Sequence, residues 1–514
     1  MKALALGIAG VLATIVMVSK PFHDKGQDSG ILRVALPAPW GSLVPSQQNT
    51  LYGDIVLINE FESLVRIGRN GKILPLLAKN FTIGDNFESL EFEIDTEKKF
   101  SDGSPVTPDE IKSCWENGLR IQATSANNST QDVLYLVKGY DEFERVGTLE
   151  GLKVSGHKLI VEFKKPYRQA IVDLAGGRYG VFKYVDGKAI GTGPYRTVAS
   201  EQQKVIFERN TFFKGPVGYD KVEVIAAENA EELSRLEKSG TVDVFLIAPR
   251  RLNKLCREQS QHYQCLSGFV RRHVNLYSNS TKGIFANQEH RKALLSLIYD
   301  LRMDDQFQKY FKELPGMFDP QIYLPLQAGR LPAEEVKQTI GSYRRFVPAL
   351  IEATNDQPIR MYALYDKDRF LVYLKSKGLK FSGDSGGIPF KDMLHLKNKS
   401  FEFDLLSMTA SFYNADPDGI YHLLGENGAI FTPAIGTPKV MDLLEDGRTI
   451  TDPNLLHHHY IKVSRAFLEE VSYVHVGFLY SQIIIRSDRV KYGYGLTQTG
   501  DDRFNVFRPA TSLF

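Results

Sequence analysis

Three groups of residues in this chain could do chemistry, and their spacing limits what each can do. His457, His458 and His459 stand in a row, and imidazole is the commonest transition-metal ligand. They open a helically patterned stretch, "HHHYIKVSRAFLEEV". Consecutive residues on a helix point about 100° apart, so three in succession do not converge on one ion. An exposed helix start is the expected reading, and no metal site is assigned. His422 and His475 are isolated and read as ordinary core or surface histidines. Of the three cysteines, Cys256 and Cys265 lie close enough to close a short loop in an oxidising compartment. Cys114, beside Trp115 in a helical pattern, reads as a small buried hydrophobe rather than a nucleophile. The stretch "SFYNADPDGIYHLL", from Ser411 to Leu424, sets two aromatics and an Asn before an Asp-Pro-Asp-Gly turn. It reads either as a turn that ends a strand or as the wall of a binding site.

No catalytic constellation accompanies these groups. The chain has no G-x-S-x-G, H-E-x-x-H, Walker A or paired-cysteine zinc pattern, and its carboxylates fall on helical segments as solvated charges. We therefore expect no catalytic residue, no cofactor and no enzyme.

The elements that must position the candidates follow from length and pattern. A chain of 514 residues can bury several cores, two to four at about 150 residues each. Lys plus Arg is 63 against 61 Asp plus Glu, which provides no general attraction for phosphates and argues against nucleic acid as a partner. An apolar run from Ala3 to Val18 follows one Lys and precedes a polar stretch. It reads as an export signal, with an uncleaved N-terminal anchor as the alternative. After it, "ILRVAL" is a strand that breaks on Pro37 and Pro39 and delivers Trp40 into a loop. Apolar spacing through Ile55, Ile58, Phe61 and Leu64 predicts a helix. Strands alternate at Leu90, Phe92, Ile94 and at Leu159, Val161, Phe163, with a helix between them capped by Thr107 and begun by Pro108. The segment "YDKVEVIAAENAEELSRLEKSGTVDVFLIAP" reads as a β-α-β unit. A second α/β series runs from "RRHVNLYSNS" through a long loop at Leu314–Leu331, the helix "AEEVKQTIGSYRRF" and the strand "FEFDLLSM" to the Ser411 stretch. The helix with the His run and two strands, "VHVGFL" and "IIIRS", follow.

The order of landmarks "FESLVRIGRNGKILPLLAKNF", "LEFEIDTEKKFSDGSPVTPDEI", "GTGPYR", "ERNTFF", "SGTVDV" and "NQEHRKALLSLIYD" resembles the extracellular solute-binding protein family 5, the oligopeptide-, dipeptide- and nickel-binding proteins of ABC importers. The resemblance implies an α/β, two-lobed, periplasmic-binding-protein-like (Venus-flytrap) fold with mixed sheets and an extra inserted subdomain, closing on its ligand by a hinge. On this division residues 1–30 are signal or anchor and linker. Residues 31–50 with 189–268 and 478–514 form lobe 1, 51–188 the subdomain inserted in it, and 269–477 lobe 2. It also implies a periplasmic monomer, possible to anchor through the N-terminal segment, that hands a peptide or peptide-like solute to an ABC permease. An oligosaccharide or metal chelate on the same scaffold, and a non-transport interaction protein, are the alternatives.

In the resembled family the Ser411 region carries a pattern close to W-x-x-D-Y-x-D-P, whose first Asp pairs with the α-amine of a bound peptide. Aligned on Asp416 and Pro417, the Trp place is Ala410 and the amine-binding Asp place is Tyr413. A neutral phenol cannot neutralise an ammonium, so the ligand is expected to differ from an ordinary peptide amine. The ligand-binding candidates are Trp40, whose loop approaches the ligand in the family, and Phe412, Tyr413, Asn414 and Asp416.

Overall fold

The computed structural model describes residues 30–48, 50–68, 72–123, 133–305, 307, 316–324, 327–363, 367–382, 403–411, 417–421, 435, 437–492 and 503–510. Its backbone is organised by one ten-stranded mixed sheet that runs through both lobes. Ile31–Leu36 lies between Lys221–Ala226 and Val244–Phe245, parallel to both. This arrangement with the helix Ala230–Ser239 completes the β-α-β unit that the sequence predicts. Antiparallel Lys204–Arg209 and Tyr195–Glu201 extend this half on one side. On the other side Val244–Phe245 pairs with Tyr473–Arg486, which pairs with Tyr263–Ser278. Leu405–Ser411 and Met361–Ala363 continue the sheet beyond.

Alternation along these strands sends successive side chains to opposite faces. Leu32, Val34 and Leu36 enter one core of lobe 1, with Val222, Val224 and Phe207, while Ala35 enters another with Phe245, Leu233 and Leu255. Lobe 2 repeats the scheme. Val274, Leu276, Val474 and Val476 pack against the helix Gln288–Leu301 and its neighbours, and Tyr277, Leu406, Met408 and Tyr473 face Tyr460, Val463 and Phe467 of the helix Pro453–Glu470. A separate core, from Leu57 to Phe182, belongs to the inserted unit. There a four-stranded antiparallel sheet (Ala78–Ile83, Ser89–Ile94, Lys158–Glu162, Leu152–Ser155) carries the helix Pro108–Ala123, whose Thr107 hydroxyl accepts from the Glu110 amide at 3.2 Å. The fold is thus a two-lobed α/β architecture.

The chain departs from the predicted elements in four places. The first helix stops at Leu57 although apolar spacing continues. The buried Asn59 side chain donates to the Ile55 carbonyl at 2.7 Å, and the residues beyond fill the inserted core as extended chain. The long loop contains a strand, Gly316–Phe318, laid against Tyr473–Arg486. A helix at Val347–Asp356 with Pro348 in its first turn follows the predicted one. The two last strands are one, Tyr473–Arg486, because their polar middle lies where the chain passes between the lobes.

Candidate functional site

The passage between lobes fixes where a ligand could be enclosed. Tyr263–Ser278 and Tyr473–Arg486 are 16 and 14 residues long, so each extends about 50 Å at roughly 3.3 Å per residue. Their pairing runs regularly from Tyr263↔Arg486 to Ser267↔Gln482, breaks, and resumes at Arg271↔Tyr480. Three residues on one strand therefore oppose one on the other. An irregularity of this kind bends and twists a ladder, and it lies where the chain leaves one lobe's sheet for the other's.

Two strand ends point to this same place. Val34 and Ala35 align with Val244 and Phe245, which align with Ile485 and Ile484, and the Ala248 amide then donates to the Gln482 carbonyl at 2.8 Å. The carboxyl end of Ile31–Leu36 therefore runs toward the break. From the other lobe, Leu405–Ser411 ends with Ser411 opposite Arg272, one residue past the break. In open α/β sheets ligands bind outside the carboxyl ends of strands, and here two such ends from different lobes meet.

Trp40 lies four residues past Leu36, and its indole is 3 % exposed in the core with Tyr52, Ile55 and Val56. Its carbonyl accepts from the Thr50 hydroxyl at 2.7 Å, and the left-handed Gly41 (φ +77°) turns the chain behind it. Phe412, Tyr413, Asn414 and Asp416 lie outside the described residues. The turn that follows them is described: Pro417–Ile420 is a buried 3-10 turn.

The histidines disperse. On Pro453–Glu470, His458 Nδ1 bonds the Asn454 carbonyl at 2.7 Å and His459 Nε2 the Leu443 carbonyl at 2.6 Å. Among the described residues no group of three His, Cys, Asp or Glu side chains could hold a metal. His422 is outside those residues. His475 is buried and donates to the Asp319 carbonyl at 2.7 Å, and burial pushes its pKa down to about 3. Cys256 and Cys265 are joined in a disulfide with Cα atoms 5.9 Å apart. Burial pushes the Cys114 thiol up to about 12, a protonated and unreactive state at neutral pH.

One cluster was not legible in the sequence. Arg448, just past the helix Pro438–Gly447, is 4 % exposed, and Asp418 in the 3-10 turn is fully buried. Arg448 Nε lies 3.4 Å from Asp418 Oδ2, and the Tyr460 hydroxyl donates to Asp418 Oδ1 at 3.2 Å. The guanidinium stands 3.9 Å from the Tyr421 ring centre and 4.3 Å from that of Tyr167, and it donates to the Tyr135 hydroxyl. Tyr135 and Tyr167 belong to the inserted unit. A lone Arg after a helix C-terminus reads as a solvated cap, so only its three-dimensional partners identify it.

Among the described residues no helix is long and apolar enough to cross a membrane; the Ala3–Val18 run lies outside them. Comparison with known proteins finds similarity to binding proteins. Residues 72–324 match the model of bacterial extracellular solute-binding proteins, family 5 Middle. The nickel-binding protein NikA of Staphylococcus aureus is 23% identical over 327 residues, 61% of this chain; the match spans only 60% of that relative's length. The murein tripeptide binding protein MppA of Escherichia coli shares the fold at a TM-score of 0.78 with 16% identity, over 93% of this chain and 98% of that one. OppA of Haemophilus influenzae, solved with the peptide RPPGFSPFR, does so at 0.76 with 16% identity, over 94% and 99%. The similarity to family 5 of the bacterial extracellular solute-binding proteins thus rests on residues 72–324, and the shared fold extends over nearly the whole chain.

Proposed function

We propose that this protein is an exported solute-binding component of an ABC import system, which captures a peptide or peptide-like solute between its lobes and delivers it to a membrane permease. It acts as a periplasmic monomer and performs no chemistry. The lobes are cut as 31–50 with 189–268 and 478–514, and 269–477, with 51–188 inserted in the first. The ligand is enclosed where the two long paired strands pass between the lobes, against Phe412, Tyr413, Asn414 and Asp416, with Trp40 backing the opposite wall. The N-terminal run from Ala3 to Val18 directs export, either as a cleaved signal or as an anchor.

The observation that carries this reading is the meeting of the two strand ends at the Ser267–Arg271 break in the ladder of the two long strands. The stretch Phe412–Asp416 follows directly from Ser411, which pairs with Arg272 beside that break. The MppA and OppA structures, named for a murein tripeptide and solved with a peptide respectively, support the solute class.

Tyr413 sets the character of the ligand. With a phenol in place of an acid, the site contributes one hydrogen bond and no charge toward a peptide amine. Peptides with a free and an acetylated N-terminus therefore bind the wild-type protein within a few-fold of each other. Tyr413→Asp introduces a charge-assisted bond worth about 1.5–3 kcal/mol, so calorimetry should show at least about a tenfold preference for the free amine. Equal loss of both ligands in that variant removes Tyr413 from the amine position. A second reading, a metal chelate on the same scaffold, is favoured by the match to a relative named for nickel binding. Titration of the chain with nickel and histidine together decides between them.

A further inference from the structure

The Arg448 cluster lies between bodies that solute capture must part. Lys165, Tyr167 and Arg168 form one short run of the inserted unit, and Glu445, Arg448 and Ile450 one short run of lobe 2. Between these runs Lys165 Nζ pairs with Glu445 Oε1 at 2.8 Å, and Arg168 Nη1 donates to the Ile450 carbonyl at 2.6 Å. The Arg448 guanidinium lies over the Tyr167 ring at 4.3 Å. Tyr135, from another segment of the same unit, accepts from Arg448.

We propose that Arg448 is a positioning residue for solute capture: seated against Tyr135 and Tyr167, it clasps the inserted unit to lobe 2 and biases the empty protein toward the closed arrangement. The chemistry suits this task. The countercharge, Asp418, lies on the same lobe as Arg448, so the cation stays neutralised when the lobes part. What opening removes is the Tyr167 face and the Tyr135 phenol oxygen, while the Tyr421 ring stays with Arg448; the lost contacts are strong when dry and readily replaced by water. Lys165 and Glu445, each about 40 % exposed, add a rim pair of small worth. The clasp rests on the capture reading above only in that the lobes part.

The test measures the empty protein, so its result does not depend on the ligand. Labels placed by Val146→Cys and Met303→Cys, at exposed positions on the inserted unit and lobe 2, report lobe separation by single-molecule energy transfer. Tyr135→Phe keeps the ring and removes the acceptor for Arg448. The closed-to-open ratio should fall about tenfold, the loss expected for one charge-assisted hydrogen bond. Lys165→Glu and Glu445→Lys should each shift the distribution toward open, and the double charge swap should restore it. Circular dichroism confirms that these variants fold. A Tyr135→Phe protein that folds and shows the wild-type distribution, or a wild-type protein that is fully open when empty, overturns the clasp. Weak solute binding with an intact clasp effect would instead count against the capture reading.

Discussion

Removing the charge of Arg448 should be among the most damaging single changes to lobe 2. Arg448 is 4 % exposed and its partner Asp418 is fully buried, so Arg448→Met leaves a carboxylate in the dry interior with its main countercharge gone. Breaking one side of such a pair costs about 3–5 kcal/mol, whereas replacing both sides is often nearly neutral. The double variant Asp418→Asn with Arg448→Met should therefore recover most of that loss. Urea denaturation measures this, with a probe chosen for the lobe. Both tryptophans, Trp40 and Trp115, lie in lobe 1 and its inserted unit, so tryptophan fluorescence reports that half while far-ultraviolet circular dichroism reports the whole chain. A multi-lobed protein need not unfold in one step. The dichroism transition should acquire an early phase that the fluorescence transition lacks. An Arg448→Met protein within about 0.5 kcal/mol of wild type, or a double variant worse than either single one, would refute the idea that this buried pair carries structural weight.

Other expectations follow from single sites. Trp40→Ala should destabilise by about 3–5 kcal/mol as a large core truncation, because the indole is 3 % exposed; its circular dichroism transition shifts, and a shift below about 1 kcal/mol would mean that the ring is not packed. Glu60, buried and bonded to the Thr197 amide at 3.1 Å, has its pKa raised by burial from 4.5 to about 7. The folded protein therefore holds a proton that the unfolded chain releases between these values. The stability from this group is fully present below pH 4.5 and is lost as pH rises through about 7. Glu60→Gln should remove that component, on the order of 3 kcal/mol, which the difference between wild-type and variant urea midpoints across this range reads directly. An unchanged pH profile would place the carboxyl in water.

How much of this was legible in the sequence depends on whether the governing forces were local. The β-α-β unit, the Thr107 cap and the alternating strands were readable because period and capping are properties of neighbouring residues. The first helix was overestimated because Ile58, Phe61 and Leu64 keep helical spacing while serving an extended chain, and tertiary burial overrode the pattern. The pair of strands read at "VHVGFL" and "IIIRS" is one strand, since Tyr480, Ser481 and Gln482 resemble a break in composition while the backbone ladder continues past them. The hinge was thus concealed by the same polarity that makes it a passage between lobes. Asp418 was visible as part of a turn, but its burial was not. Nor was the role of Arg448, because its partners Tyr135 and Tyr167 are some 300 residues away in sequence, beyond the reach of any local pattern.

The central claim is enclosure of one peptide-like solute per chain. Native mass spectrometry after incubation with a pool of short peptides tests it directly, with the protein also purified untreated from its own source. The expected result is a one-to-one noncovalent complex with a subset of the pool, and release of a peptide-like molecule from the source material on unfolding. Only bare chain in both samples, under conditions where the protein is folded, would contradict it.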